Sequence, residues 1–376
     1  MSSSPTASVA LVGANGHGRW HRRRIAALAE TGLVRFAGMA DLSPLDPDPP
    51  VPPGVPVFTG HRELIDATRP DIVVICTPPH THLPIALDAL AAGCDLLLEK
   101  PPVPSLSAHD TLAAAVAAAG RACQVGFQAL GSAAWARFRD ALPGLAPLGG
   151  ITAVASWQRE DTYYDRAPWA GKRTVAGRPV IDGALVNPLA HAVMQALAAG
   201  AAAGAGRPLA LAVERYRTRP IEVDDTAFAR ITFAGGLPLL VAVTLAGEDF
   251  IAGEIGAGGA VLEYPTDRLR LPGQSSLEKV EGRTDLLTNL VQHRADGVGL
   301  LVPLAATADF TGVLEALTDL PAPHLLTGPP VMVDGPRRTI TGVNAVIRRV
   351  ASTLSLPSEL DVPWAVKPHE VRLPAG

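Results

Sequence analysis

Lysine is scarce in this chain: only Lys100, Lys172, Lys279 and Lys367 are lysine among 32 basic residues, the rest being arginine. Cysteine is scarcer still. Cys76, Cys94 and Cys123 are an odd number without C-x-x-C spacing, which argues against a disulfide framework and for free thiols in a reducing compartment. Charge is also sparse and nearly balanced, with 18% charged residues and a formal net charge of −4, so nothing recommends nucleic acid or an anionic membrane as partner. The Ala-rich stretch from Ala196 to Gly206 is too short, and too broken by glycine, to span a bilayer. The N-terminal residues lack a basic segment followed by a long apolar core, so no signal peptide is expected and the expected location is cytoplasmic. Internal repeats and low-complexity tails are missing as well.

What is present is a long, apolar, globular sequence: 376 residues with 48% hydrophobic content, enough for two domains. Ser8–Val12 is a β-prone run leading into Gly13-Ala14-Asn15-Gly16-His17-Gly18, and a helical pattern follows through Ile25, Leu28 and Ala29. Strand, glycine turn and helix in that order point backbone N–H groups and a helix N-terminus at a pyrophosphate. The spacing fits G-x-G-x-x-G with Asn15 in the second glycine's place. A second strand, Val34 to Ala40, ends in Asp41, where a carboxylate meets a ribose 2′-hydroxyl and repels a 2′-phosphate; NAD is therefore favoured over NADP. Arg19, Arg22, Arg23 and Arg24 read as a solvated helix face.

Pro44 to Pro56 reads as an extended loop, Asp71–Cys76 as a buried strand, Leu83–Ala92 as a helix, and Cys94–Leu98 as a further buried strand. That strand delivers Glu99-Lys100-Pro101-Pro102 to the carboxyl edge of the sheet, where open α/β sheets bind ligands. A lysine placed there, in a chain that otherwise prefers arginine, is a candidate proton-transfer group. A helix from Leu106 to Ala119 and a strand from Cys123 to Gln128 complete a doubly wound parallel sheet. Beyond it the rhythm changes to strands without intervening helices (Ile151–Gln158, Leu209–Arg217, Thr226–Phe233, Leu237–Leu245), a mostly antiparallel pattern with helices near 188–199, 301–317 and 340–353. The expected organisation is an α/β chain with a dinucleotide-binding Rossmann domain over 1–130, then a substrate-binding and oligomerisation α/β domain over 131–376 with an open, mostly antiparallel sheet. Asp224-Asp225 is expected to start a strand and face solvent, and His80-x-His82 lacks a third partner, so no metal site is predicted.

Read together, Val12-Gly13-x-Asn15-Gly16-x-Gly18 with His21, Asp41, Asp71–His82, Ala89–Gly93, Glu99-Lys100-Pro101 and Val125–Gln128 resemble the Gfo/Idh/MocA oxidoreductases. The second domain matches more loosely, through Gly183–His191. The resemblance implies hydride transfer between a nicotinamide cofactor and a hydroxyl of a sugar or cyclitol, and assembly as a homodimer or homotetramer through the C-terminal sheet. It implies cofactor contacts by Gly13, Asn15, Gly16, His17, Gly18, Asp41, Thr77, Pro78, His80, His82, Glu99, Lys100, Pro101 and Gln128. It also maps a catalytic lysine onto Lys100 and a histidine onto His191, while Asn187 stands where the family has aspartate and Leu189 where it has glycine.

The stretch Trp157, Arg159, Asp161, Tyr163, Tyr164, Arg166, Trp169 and Lys172 holds two of the five Trp and two of the four Tyr. Flat aromatic faces interleaved with hydrogen-bond donors suit the stacking and orienting of a polyol, so these residues are assigned to substrate. Alcohol oxidation needs a base within reach of the hydroxyl, a role that suits His191. Lys100 would stabilise the developing alkoxide, Asn187 would orient the substrate, and Tyr163 or Tyr164 would be a substitute acid. Two further readings stay open: a non-redox enzyme that holds NAD tightly and oxidises a sugar transiently before elimination or glycoside cleavage, and a cofactor-binding regulatory protein without turnover.

Overall fold

The computed structural model describes residues 6–145, 147–180 and 182–374. They form two compact units: residues 1–128 with 284–308, and residues 129–283 with 309–376.

In the first unit, strands β1 (Ala7–Val12), β2 (Val34–Ala40), β3 (Val57–Phe58), β4 (Ile72–Ile75), β5 (Asp95–Leu98) and β6 (Cys123–Val125) lie in the order β3-β2-β1-β4-β5-β6, all parallel. Helices α1 (Gly18–Glu30), α2 (His61–Thr68), α3 (His82–Ala91) and α4 (Leu106–Ala119) connect them. Every residue of β4 and β5 is buried, as continuous apolar strands in a sheet covered on both faces should be. The order reverses between β1 and β4, whose registered ends Val12 and Ile75 place the glycine turn at the switch point.

Residues 284–308, which the sequence reading places in the second domain, belong to the first unit. Their helix Leu286–Asp296 is capped by Asp285, whose Oδ1 accepts from Thr288 N at 2.9 Å. Gln124 of β6 donates to Leu286 O and Asn289 Oδ1 at 2.8 and 2.9 Å, and its own Oε1 accepts from Val302 N at 2.9 Å. Arg294 pairs with Asp71 at 2.6 Å and Asp95 at 2.7 Å. Of the α1 arginines expected on a solvated face, Arg23 is exposed and Arg22 is not. Arg22 is only 1% exposed and donates to the carbonyls of Asp46 and Pro49, while Arg19 and Arg23 reach Asp48. The reason is the neighbouring Pro44–Pro56 loop: its backbone has too few N–H groups to satisfy its carbonyls, and a buried guanidinium supplies the donors.

The second unit is built on a ten-stranded, mostly antiparallel sheet. Thr226–Phe233 and Pro238–Thr244 form the expected hairpin across Gly235-Gly236, and Ala260–Glu263 pairs with Arg268–Arg270. Ile151–Gln158 runs parallel to Pro238–Thr244 and antiparallel to the long strand Ala246–Ala257. Helix Val343–Thr353 buries Val343, Ile347 and Val350 against Val154, Phe228, Leu240 and Ala242. Helix Ala190–Ala202 carries Gly200 directly under Phe233, whose ring a Cβ would meet at 2.2 Å.

Candidate functional site

In the first unit the turn after β1 is closed by two glycines with separate reasons. Gly13 has φ +86°, and a Cβ there would lie 2.4 Å from Cys76 O; a Cβ on Gly18 would lie 1.9 Å from Gly13 O. Both glycines are needed because the turn packs backbone against backbone, which brings the start of α1 close to the end of β1. Gly16, with φ +55° and nothing within 4 Å of a Cβ, leaves the turn open there, an arrangement that fits a dinucleotide's pyrophosphate at a helix N-terminus. Asn15 has a different task from that of the glycine it replaces. Its Nδ2 donates to Pro44 O at 3.1 Å and its Oδ1 accepts from Asp46 N at 2.8 Å, latching the proline-rich loop onto the turn. Asp41 stands over the same turn, Oδ2 accepting from Ala14 N and Asn15 N at 2.9 and 3.0 Å and Oδ1 from Ser43 N at 3.0 Å.

Glu99 is the electrostatic centre of this half. Its Oε1 accepts from His21 Nε2 at 2.9 Å and Gln128 Nε2 at 3.1 Å, with His17 Nε2 at 3.6 Å, and its Oε2 accepts from Lys100 N at 3.1 Å. Burial raises the Glu99 pKa, but the bonds from His17 and His21 more than reverse this and hold it well below the usual carboxylate range. The hydrogen bond to Glu99 in turn raises the His17 pKa, and the positive charge of Lys100 opposes that rise. His17, His21 and Glu99 are, among the described residues, the one group whose donor atoms lie close enough for a metal, within 4.8 Å of one another. Sequence spacing did not single them out, because Glu99 lies 78 residues from His21.

Of the expected contacts in the 77–82 loop, Pro78 and His80 are exposed and Thr77 is half-buried, whereas His82 is fully enclosed. Its ring bonds the carbonyls of Thr77 at 2.7 Å, Pro101 at 3.1 Å and Pro102 at 3.0 Å, so it ties that loop to the segment that carries Lys100. Burial lowers its pKa, and the bonds to these carbonyls oppose that fall.

In the second unit, the aromatic stretch forms an alternating stack. The Arg159 guanidinium lies 5.0 Å from the Trp157 ring and 5.3 Å from Tyr163; that of Arg166 lies 3.8 Å from Tyr163 and 4.6 Å from Trp169. Trp157 is anchored through Nε1 to Ala252 O at 2.9 Å. Other members of the stretch are engaged in the protein itself. Asp161 pairs with Arg219 at 3.1 Å and Arg338 at 3.2 Å, and Lys172 pairs with Glu222 at 3.3 Å. Tyr164 is buried beneath Arg219, whose guanidinium lies 4.9 Å from its ring, and burial raises the pKa of both Tyr163 and Tyr164.

His191 occupies the first turn of helix Ala190–Ala202, half-buried. Asn187 lies one turn earlier and donates through Nδ2 to Asp182 Oδ1 at 3.0 Å. Asp182 is buried; its Oδ2 accepts from Gly171 N at 2.7 Å, and Arg166 Nη2 lies 3.7 Å from its Oδ1. The sequence reading missed this carboxylate, because a single aspartate preceding a glycine offers no pattern. Asp224 and Asp225, expected in solvent, are buried at 5% and 0% exposure. Their segment precedes strand Thr226–Phe233, where unpaired backbone needs acceptors: Asp225 Oδ2 accepts from Thr218 N at 2.8 Å and Oγ1 at 2.6 Å. Asp224 accepts from Leu185 N at 3.4 Å and Ala184 N at 3.0 Å, supporting the turn that leads to Asn187. Burial pushes its pKa up to about 6.

Comparison with known proteins places this geometry. Residues 7–127 match the model of an oxidoreductase family with an NAD-binding Rossmann fold. Among curated proteins, inositol 2-dehydrogenase 4 of Saccharopolyspora erythraea is 37% identical over 120 residues, which is 32% of this chain and 36% of that protein. The rhizopine catabolism protein MocA of Rhizobium meliloti is 35% identical over 91 residues, 24% of this chain and 28% of that protein. The chain thus matches about a third of the length of these relatives. Among solved structures, the WlbA dehydrogenase of Chromobacterium violaceum, in complex with NADH and UDP-GlcNAcA, superposes with TM-score 0.69 at 17% identity, over 84% of this chain and 93% of that one. A levoglucosan dehydrogenase in complex with NADH gives TM-score 0.67 at 17% identity, over 85% of this chain and all of that one (100%). Residues 7–127 thus match the NAD-binding Rossmann domain of the Gfo/Idh/MocA oxidoreductases.

Proposed function

We propose that this protein is an NAD-dependent oxidoreductase that moves a hydride between the cofactor and a hydroxyl or carbonyl carbon of a sugar, sugar derivative or cyclitol. The observation that carries this reading is the cradle at Gly13 and Gly18 with Asp41 set over it. A carboxylate at that edge repels a 2′-phosphate and thereby selects NAD over NADP. When bound, the nicotinamide accepts or returns the hydride. The remaining work belongs to this chain's own side chains. His191 takes the hydroxyl proton, Lys100 stabilises alkoxide charge through its ammonium, and Asn187 orients the substrate. The bond from Asn187 Nδ2 to Asp182 fixes which way round the carboxamide sits, carbonyl oxygen turned from the carboxylate. Asp182 is therefore a positioning residue for an asparagine that cannot itself act as a base. Tyr163 and Tyr164, with raised pKa values, are poor acids, which leaves proton management to the histidine and the lysine.

Calorimetric titration with NAD and NADP, followed by a sugar and cyclitol screen for NADH release, tests the reading. The expected result is NAD binding at least about tenfold tighter than NADP, a gap that Asp41→Ala narrows, together with stoichiometric NADH from at least one polyol. Binding of neither nucleotide overturns it; tight NAD retention with sugar turnover but no net NADH replaces it with the non-redox chemistry.

A further inference from the structure

Building on the sugar-oxidoreductase reading, we infer that the substrate of the second unit carries an anionic group, a carboxylate or a phosphate, and that Arg159 is its principal partner. The inference starts from the charges around the aromatic stack. Arg219 is matched by Asp161 and Asp225, Arg338 by Asp161, Lys172 by Glu222, and Arg166 approaches Asp182 at 3.7 Å. Arg159, among the described residues, has no carboxylate within ion-pair distance; its Nη1 donates to Gln158 O at 3.0 Å.

This unmatched cation is half-buried, and its position is over-determined. Trp157 and Tyr163 lie close to its guanidinium, and the Trp157 ring is itself pinned to Ala252 O. Cation–π contact stabilises a guanidinium by about 0.5–2 kcal/mol but does not neutralise it, so the positive field stays available. Ring contacts of this kind engage the flat faces of a guanidinium. Its edge is partly used, by the bond to Gln158 O and a side-chain hydrogen bond to Tyr163, but a guanidinium has five N–H donors, so some remain to meet the oxygens of a carboxylate or phosphate. An arginine that merely covered an aromatic surface would be expected at an exposed position with a neighbouring acid. Here the nearby acid of the stretch, Asp161, is committed to Arg219 and Arg338 instead. Arg166, between Tyr163 and Trp169 and held by its Nη1 bond to Tyr163 O at 2.7 Å, repeats the ring contacts one step along but has Asp182 as counter-charge, which leaves Arg159 as the unmatched cation of the stack. A neutral polyol could use the rings and the donors, but it has nothing to match the charge.

The test uses the full chain saturated with NAD and three probes: D-glucose, D-glucuronate and D-glucose 6-phosphate. Binding is measured by calorimetry and turnover by NADH formation, at low and at physiological ionic strength. The expected result is that one anionic probe binds at least about tenfold more tightly than glucose, with an advantage that shrinks as salt is added. Glucuronate ahead of the phosphate identifies a carboxylate site, and the reverse order a phosphate site. Arg159→Gln should cost the anionic probe about tenfold or more in KM, and glucose clearly less, while the affinity for NAD stays as in the wild type. Arg159→Lys should restore only part of that loss, because an ammonium keeps the charge but not the fork; it also keeps the test valid if the glutamine variant folds poorly. Equal affinity for glucose and both anions, or an equal loss for neutral and anionic probes in Arg159→Gln, overturns the inference while leaving the oxidoreductase reading intact. Absence of NAD binding overturns the oxidoreductase reading instead.

Discussion

Glu99 in the first unit and Asp224 in the second are both buried carboxylates, and their pKa values move in opposite directions. Glu99 collects donors from two histidines, a glutamine and a backbone N–H, and is held ionised. Asp224 takes one long 3.4 Å bond to its side chain from Leu185 N, and burial dominates despite the charge of Arg215. Burial alone therefore does not tell what a carboxylate does; the number and charge of its donors decide. At the glycine turn the ionised form is the useful one, since it holds the histidines and the start of the Lys100 segment. Beneath the Asn187–His191 segment a partly protonated acid is tolerated because its task is to support backbone.

The sharpest way to break this comparison is Glu99→Ala. It leaves His17 and His21 without their acceptor and should destabilise the first unit by about 3–5 kcal/mol, as removal of one partner from a buried charged network does. Urea unfolding checks it, and a loss under about 1 kcal/mol would show that the network contributes little. The wild-type contribution should also depend on pH. Because the folded pKa lies below the ordinary value of 4.5, the stabilisation is present above that value and is lost as pH falls beneath it.

Asp224→Asn probes the opposite case. With a folded pKa of about 6 against an ordinary 3.8, ionisation is disfavoured in the fold, so wild-type stability falls as pH rises from about 4 to about 6. By linkage the loss is up to about 3 kcal/mol, and the asparagine variant should lack it. Parallel melting curves of the two proteins between pH 4 and 8 decide the matter: identical slopes would mean that Asp224 is ionised throughout.

The smallest effect expected is that of Asn187→Asp, which sharpens the comparison by adding a carboxylate where Asp182 already sits 3.0 Å from the amide nitrogen. Two like charges at that distance cannot both ionise freely, so one carboxyl pKa should rise by a unit or more and appear as a new limb in the pH profile of kcat. An unchanged profile would show that residue 187 does not touch the proton pathway.

The first unit was legible in the sequence because its signals are local. A β-run, a glycine turn, a helix and an acidic residue at the next strand end follow one another within about forty residues, and each is set by its own backbone geometry. Arg22 of α1 was misread for the opposite reason, since what makes it buried is a loop more than twenty residues away that leaves carbonyls bare. Helix Leu286–Asp296 was missed, and strand Ala246–Ala257 was obscured by Glu248-Asp249, which break its apolar pattern. In the second unit the stack from Trp157 to Trp169 could be found from composition. The partners that set its charge balance, Arg219, Arg338 and Asp182, could not, because they come from separate stretches of the chain.

The return of residues 284–308 to the first unit has a consequence for how the protein is made. When the first 128 residues leave the ribosome, β6 still lacks the partners of Gln124, and Asp71 and Asp95 still lack Arg294. The first unit is finished only after more than 150 further residues have been synthesised. A gene fragment cut after residue 128 encodes an incomplete fold, and any exchange of this unit with that of a relative has to carry the later segment with it.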